Sequence, residues 1–192
     1  SKIIFELIKK NGGRIFMSSV KHESGSDRIA EFASEIKADL ILNVQGDEPF
    51  IDKKSLKKLI DVFNNDFQNT IDLASLMQPI IELSDVDNPN NVKVVVDNNN
   101  FAIYFSRSVI PYNSLNIKNT NYFKHIGVYA FRKESLLYFH KSKSSPLEKL
   151  EKLEQLRYLE NGKKIKMVKT NYKGHGIDVM DDLINARKIV NE

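Results

Sequence analysis

The 192-residue chain contains no cysteine and no tryptophan. Without cysteine there is no disulfide framework and no thiolate metal site, and the composition fits a reducing compartment. No stretch approaches the ~20 consecutive apolar residues that a membrane-spanning helix needs. No basic-then-apolar leader precedes a small-residue cleavage site. Arginine is scarce: positions 14, 28, 107, 132, 157 and 187 are the only arginines among 29 basic residues. The net charge of +4 therefore comes from lysines, many at helical spacing, such as Lys53-Lys54 with Lys57-Lys58. Arginine is the residue of bidentate phosphate and base-edge contacts, so this basic balance argues against a nucleic-acid binder. What remains is ordinary. At 41% hydrophobic and 28% charged, with no linker, repeat or low-complexity segment, the chain reads as one globular unit large enough to bury a core.

Ile3, Ile4, Leu7 and Ile8 form a helical stripe ending at Asn11-Gly12-Gly13, and the chain enters partway along that helix without an initiator Met. Arg14 to Met17 reads as a short strand, and Ser26 and Asp27 as caps of a helix reaching about Lys37. The apolar run Ala38 to Val44 has the pattern of a strand buried on both faces of a parallel sheet. Asp52 is placed to cap a helix that gathers Leu56, Leu59, Ile60 and Phe63 on one face. Ile71 to Met77 is a further strand. Val92 to Asp97, the Asn98-Asn99-Asn100 turn and Phe101 to Ser106 read as a hairpin, followed by a strand over Ile126 to Phe131. Helix–strand alternation followed by strand-rich sequence predicts an α/β fold whose mixed sheet carries an antiparallel extension.

After Ser145-Pro146, an N-cap and N1 pair, leucines 147, 150, 153, 156 and 159 recur at spacing three. Each step of three drifts about 60° around a helix, so five such residues cannot share one face. The helix is either buried nearly all round or broken in the middle. Both options enclose Glu154, Gln155 and Arg157 in part. Asn161-Gly162 ends the element, a strand follows near Ile165 to Val168, and a final helix starts at about Met180.

Three clusters stand out. Asn43-Val44-Gln45-Gly46-Asp47-Glu48-Pro49 follows a buried strand, at the end where open α/β sheets bind ligands. Its carboxylates suit a divalent metal, Gly46 allows close backbone approach, and Gln45 offers a donor and an acceptor. Gly174-His175-Gly176-Ile177-Asp178 precedes the last helix. Asp47 and Asp178 on separate loops suit Mg²⁺, which takes one or two carboxylates together with substrate phosphates and water. Asp181 and Asp182 read instead as first-turn residues that complement the helix dipole. His22 to Arg28 is a Ser/Gly-rich turn opening a helix, able to present N–H groups and hydroxyls to a polar ligand. Arg107 and His125 are weak signals taken singly.

In order along the chain, HESGSDRIAE, LILNVQGDEPFI, NPNNVKVVVD, YFSRSVIP, KHIGVYAFRKESL, SPLEKLEKLEQLRYLENGKKI and GHGIDVMDDL closely resemble the 3-deoxy-manno-octulosonate (Kdo) cytidylyltransferases, the CMP-Kdo synthetases. NVQGDEP alone would admit a wider circle of sugar nucleotidyltransferases; KHIGVYAFR and SPLEKLEKLEQLR narrow it. The resemblance implies a Rossmann-like nucleotide-diphospho-sugar transferase fold and a cytoplasmic, typically homodimeric enzyme, with the strand-rich middle as the expected contact. It implies that CTP and Kdo give CMP-Kdo and pyrophosphate, activating Kdo for lipopolysaccharide synthesis. By matching motifs, Asp47 and Asp178 would ligate Mg²⁺. Gln45, Ser24, Gly25, Ser26 and Arg28 would face the nucleotide, and Arg107, His125, Tyr129, Glu154 and Gln155 would line the sugar-acid pocket.

The chain departs from the family in two places. Val179 stands where the family usually has Thr after the second metal Asp. Nothing matches the A-R-x-x-S-x-R-L-P-G-K triphosphate loop, so the chain is expected to be N-terminally incomplete and to have little activity alone. The alternatives are a cytidylyltransferase for another 2-keto acid sugar, of sialic-acid or amino-Kdo type, and an inactive binding or assembly piece.

Overall fold

The computed structural model describes residues 1–18, 22, 25–117, 120–172, 176–177 and 179–191. Its elements are α1 (Lys2–Lys10), α2 (Gly25–Ala33), β1 (Leu40–Asn43), α3 (Lys53–Asn64), β2 (Leu73–Pro79), α4 (Leu83–Asp87), β3 (Lys93–Val96), β4 (Ala102–Ser106), β5 (Phe123–Arg132), α5 (Lys133–Lys141), α6 (Pro146–Glu151), α7 (Gln155–Glu160), β6 (Ile165–Lys169) and α8 (Met180–Asn191). The sheet runs β4-β3-β5-β2-β6, with β1 also on β5. β2 and β6 are parallel, and every other named pair is antiparallel. Thus β1, β2, β3 and β6 point one way and β4 and β5 the other, which is the expected mixed sheet.

Period-two alternation along β5 splits the core into two layers. Tyr129 and Phe131 join Leu73 and Met77 under α2, α5 and α7, packed with Ala30, Phe139 and Leu156. Ile126, Val128 and Ala130 join Ala74 and Leu76 on the other face, under Leu59 and Phe63 of α3. The α3 stripe is the expected one, and Asp52 caps it by accepting from Ser55 N at 2.8 Å. Ile60 is the member left partly in solvent.

The leucine spacing resolves as a break. α6 ends at Lys152, which adopts a left-handed conformation (φ +54°), and α7 starts afresh at Gln155. Arg157 closes the joint. Its Nε and Nη2 bind both oxygens of Glu148 at 2.8 and 2.5 Å, while Nη1 reaches Phe139 O and Ser142 O. Glu148 also accepts from Ser145 N, and the Ser145 hydroxyl donates to Glu160.

Four expectations change. Arg14 to Met17 forms no strand; no strand lies beside it among the described residues, and an unpaired strand has no ladder to hold it. α2 begins at Gly25, which puts Ser26 and Asp27 inside its first turn. It closes at Ala33 rather than Lys37, because the Ser34 hydroxyl bonds Glu31 O and the next N–H groups contract to i−3 partners. β1 is not buried on both faces of a parallel sheet: it pairs antiparallel with β5, and Leu42 and Val44 are exposed. Helices α4 and α5 had no counterpart in the sequence reading.

Candidate active site

β5 has two edges and three partners. β2 occupies one edge, and β1 and β3 share the other. β1 stops opposite Tyr129, and β3 starts opposite Lys124. Between them β5 has no neighbouring strand among the described residues, and the one bond there runs from His125 N to Val92 O. The resulting notch lies at the carboxyl end of β1, where the sequence placed it. A cavity of about 440 Å³ opens there, lined by Glu48, Gln78, Asn91, His125, Gly127 and Asp182 among others.

The loop after β1 is fixed to the segment before α8. Ile177 N donates to Asp47 O at 2.9 Å, and Tyr172 OH donates to Glu48 Oε2 at 3.0 Å. Asp47 is exposed. Asp178 lies outside the described residues; of its neighbours, Ile177 bonds the Asp47 carbonyl. Among the described residues no group of three or more acidic or histidine side chains could hold a metal. A site sharing its ligands with substrate phosphates needs fewer.

Tyr129 and Gln155 meet at the inner wall of the site. Tyr129 OH donates to Gln155 Oε1 at 3.4 Å, and burial raises the phenol well above its ordinary pKa. Glu154 Oε1 accepts from Ser26 Oγ at 2.7 Å, joining the α6–α7 break to the start of α2. Gly25 lies against Gln45; a Cβ there would come within 3.3 Å of the Gln45 amide nitrogen. Gln45 Nε2 in turn donates to Asn43 Oδ1 at 3.1 Å. Two amide nitrogens, Asn43 Nδ2 and Gln155 Nε2, are buried with no hydrogen-bond partner among the described residues. An orphaned buried donor costs on the order of 1–3 kcal/mol, so a pair of them in one site marks a place for acceptor oxygens.

His125 is buried, and burial lowers its pKa to about 3. Its ring lies edge-on to Phe105 and tilted to Tyr129, with centroids 5.1 and 5.4 Å away. Its Nε2 lies 2.9 Å from Ser75 Oγ.

The structure thus gathers Gln45, Gly25, Ser26, Glu154, Gln155, Tyr129 and His125 around β5 and its notch. Arg107 is arranged differently. Its guanidinium is held by backbone carbonyls of Glu151, Pro89 and Lys152, and its own carbonyl accepts from buried Lys93. The expected Kdo-carboxylate partner is thus largely committed to the end of α6, leaving only its remaining N–H groups for a ligand. Arg28 is exposed on α2, and Ser24 lies outside the described residues. The sequence reading missed Asn43 and Ser75 as site residues. Ser75 carried a usable signal: a small polar residue inside an otherwise apolar buried strand.

A mixed sheet covered on both faces, with the acidic Asp47–Glu48 loop at the carboxyl end of β1, fits the nucleotidyltransferase class. The sequence pattern of the family described as Cytidylyltransferase matches residues 1–165. The 3-deoxy-manno-octulosonate cytidylyltransferase of Flavobacterium johnsoniae is 53% identical over 192 residues, covering 100% of this chain and 79% of that protein. That of Fusobacterium nucleatum is 40% identical over 190 residues, covering 98% and 76%. A solved CMP:2-keto-3-deoxy-manno-octonic acid synthetase complexed with CTP superimposes with a TM-score of 0.92 at 33% identity, covering 100% of this chain and 78% of that one. A 4-diphosphocytidyl-2C-methyl-D-erythritol synthase from Anaerococcus prevotii (TM-score 0.61, 14% identity, 100% of this chain and 77% of that one) shares the fold alone. The chain belongs to the cytidylyltransferase family.

Proposed function

We propose that the chain transfers the cytidylyl group of CTP to Kdo, giving CMP-Kdo and pyrophosphate. The observation that carries the sugar side is the pair of buried, unpartnered amide donors of Asn43 and Gln155 beside Tyr129. They suit a ligand dense in hydroxyl and carboxylate oxygens. The anomeric hydroxyl of the sugar acid attacks the α-phosphorus in line, the bond to the β-phosphate oxygen breaks, pyrophosphate leaves and the hydroxyl proton passes to solvent. The protein contributes mainly position. Gln45, packed on Gly25, faces the nucleotide with Ser24, Ser26 and Arg28, while Glu154, Gln155, Tyr129, His125 and Arg107 surround the sugar acid. With a pKa of about 3, His125 is neutral at working pH and too weak a base to take the proton.

Asp47 and Asp178 are the proposed ligands of Mg²⁺. The exposed Asp47 carboxylate and the bond from Ile177 to Asp47 O fit this donor set. When bound, the ion neutralises charge on the phosphates. We place the enzyme in the cytoplasm, in the step that activates Kdo for lipopolysaccharide; no described helix is long and apolar enough to cross a membrane. We also propose a homodimer formed through the middle of the chain, where Tyr112, Leu115 and Ile117 are exposed after β4.

The test combines pyrophosphate release, with CTP, Mg²⁺ and either Kdo, 8-amino-Kdo or a sialic acid, with saturation-transfer NMR of each sugar. Reading binding apart from turnover separates a slow enzyme from a wrong substrate. Binding and turnover of Kdo support the proposal; exclusive use of another sugar overturns it.

A further inference from the structure

Ser75 sits where the β2–β5 register slips. Ser75 pairs with Tyr129, but the next residue, Leu76, pairs with Ile126, so Gly127 and Val128 bulge out of the ladder. The Ser75 hydroxyl fills the gap. It lies 3.1 Å from Ile126 O, 3.0 Å from Val128 O and 2.9 Å from His125 Nε2. Ser75 is fully buried, so no water competes for these contacts.

Counting protons assigns the ring. A hydroxyl has one proton and two lone pairs, and a carbonyl oxygen can only accept. If the Ser75 proton went to His125 Nε2, both carbonyl contacts would lack a proton. If His125 carries its proton on Nε2 and donates it to Ser75 Oγ, the hydroxyl proton serves the two carbonyls and every contact is satisfied. In a neutral imidazole the other nitrogen is then bare.

We infer that Ser75 is a positioning residue that sets His125 as the Nε2–H tautomer, so the ring meets the sugar acid with an acceptor at Nδ1. The inference rests on the reading of the notch as the sugar-acid site. His125 then takes a hydrogen bond from a sugar hydroxyl and does not donate to the carboxylate. It reads a hydroxyl group, and the flanking rings of Phe105 and Tyr129 hold the imidazole plane in place. The same arrangement ties the bulge to Ser75, whose one hydroxyl proton is shared between the carbonyls of Ile126 and Val128.

Long-range ¹H–¹⁵N NMR on the free protein reads the tautomer directly and needs no substrate. The expected spectrum shows a protonated Nε2 and a bare Nδ1; an Nδ1–H ring in the wild type overturns the inference. Ser75→Ala is expected to yield a mixture of tautomers. It should weaken binding of Kdo about tenfold in the presence of CTP, with CTP binding within twofold of wild type. An unchanged tautomer in Ser75→Ala also overturns it, and Ser75→Thr, which keeps the hydroxyl, should restore the Nε2–H form. If Ser75→Ala does not fold, the wild-type spectrum still decides. Failure of any Kdo binding in the wild type would strike the proposed substrate and leave the tautomer assignment standing.

Discussion

Two polar clusters flank the α6–α7 break, and they are built on opposite plans. In the Glu148–Arg157 cluster the guanidinium binds both carboxylate oxygens and two carbonyls and stacks 3.9 Å over Phe139. In the Asn43–Gln45–Tyr129–Gln155 group two buried amides have protons with nowhere to go. The first cluster is closed by the protein itself, and the second is left open, to be closed by the proposed ligand. Two residues of α7, on either side of Leu156, serve the two plans: Gln155 lies at the candidate site and Arg157 at the joint. A closed cluster is a stability device. An open one gives up stability for binding.

Breaking the closed cluster should have the largest effect. Arg157→Leu leaves Glu148 buried without its partner, at a cost of about 3–5 kcal/mol. At roughly 2–4 °C per kcal/mol for a chain of this size, Tm should fall by about 10 °C in a thermal melt. The double replacement of Glu148 and Arg157 by leucines should recover much of that loss. A double mutant no better than the single one would mean that the pair, rather than its imbalance, holds the joint.

Acid should probe the same contrast. Burial pushes Glu148 upward, but the Arg157 pair and the Ser145 N–H outweigh it and hold the carboxyl below its ordinary value. Asp66 is likewise burdened by burial, yet held low by Ile71 N, Arg132 and Thr70. For both groups the folded pKa lies below the unfolded one. Their stabilisation is therefore present above about pH 4.5 and lost as pH falls through the folded values. Burial depresses His125 to about 3, so its share is lost earlier, progressively from about pH 6.5 toward pH 3. Tm measured against pH should decline in two stages, and His125→Phe should flatten the upper one.

Opening the other cluster further should cost less stability. Asn43→Leu and Gln155→Leu remove unpartnered buried donors but also the acceptors of Gln45 Nε2 and Tyr129 OH, so Tm should fall by only a few degrees, well short of the Arg157→Leu loss. Calorimetric titration should show Kdo binding weakened by about 10–100-fold, the worth of about 1–3 kcal/mol for each lost hydrogen bond. The smallest effect belongs to Gly25→Ala. The new Cβ presses on the far end of the Gln45 side chain, which can give way, so CTP binding should fall only a few-fold.

Much of this was legible in the sequence because several residues carry local, one-residue meanings. Ser145-Pro146 announced a helix start, spacing-three leucines announced either all-round burial or a break, and Asp52 announced a cap. The β1 error shows the limit. ADLILNV carries the apolar run of a doubly buried strand, but which neighbour pairs with it is decided by β5, about 80 residues later in the chain. Arg14 to Met17 failed for the same reason, since strand formation needs a partner as well as a pattern. In the site, motif residues were legible as types and their partners were not. Arg107 looked like a free fork, but two carbonyls at the end of α6 and that of Pro89 hold it. Ser75 was legible as a small polar residue in a buried strand, but the register slip beside it was not, because no local pattern encodes it.

The central claim is that the open cluster is closed by the sugar acid. The side-chain amide region of a ¹H–¹⁵N spectrum tests it most directly. On titrating Kdo in the presence of CTP and Mg²⁺, the Asn43 and Gln155 NH₂ resonances should shift and become protected from exchange, while the Arg157 Nε–H resonance stays in place. Binding of Kdo that leaves both amide pairs unmoved would contradict the account.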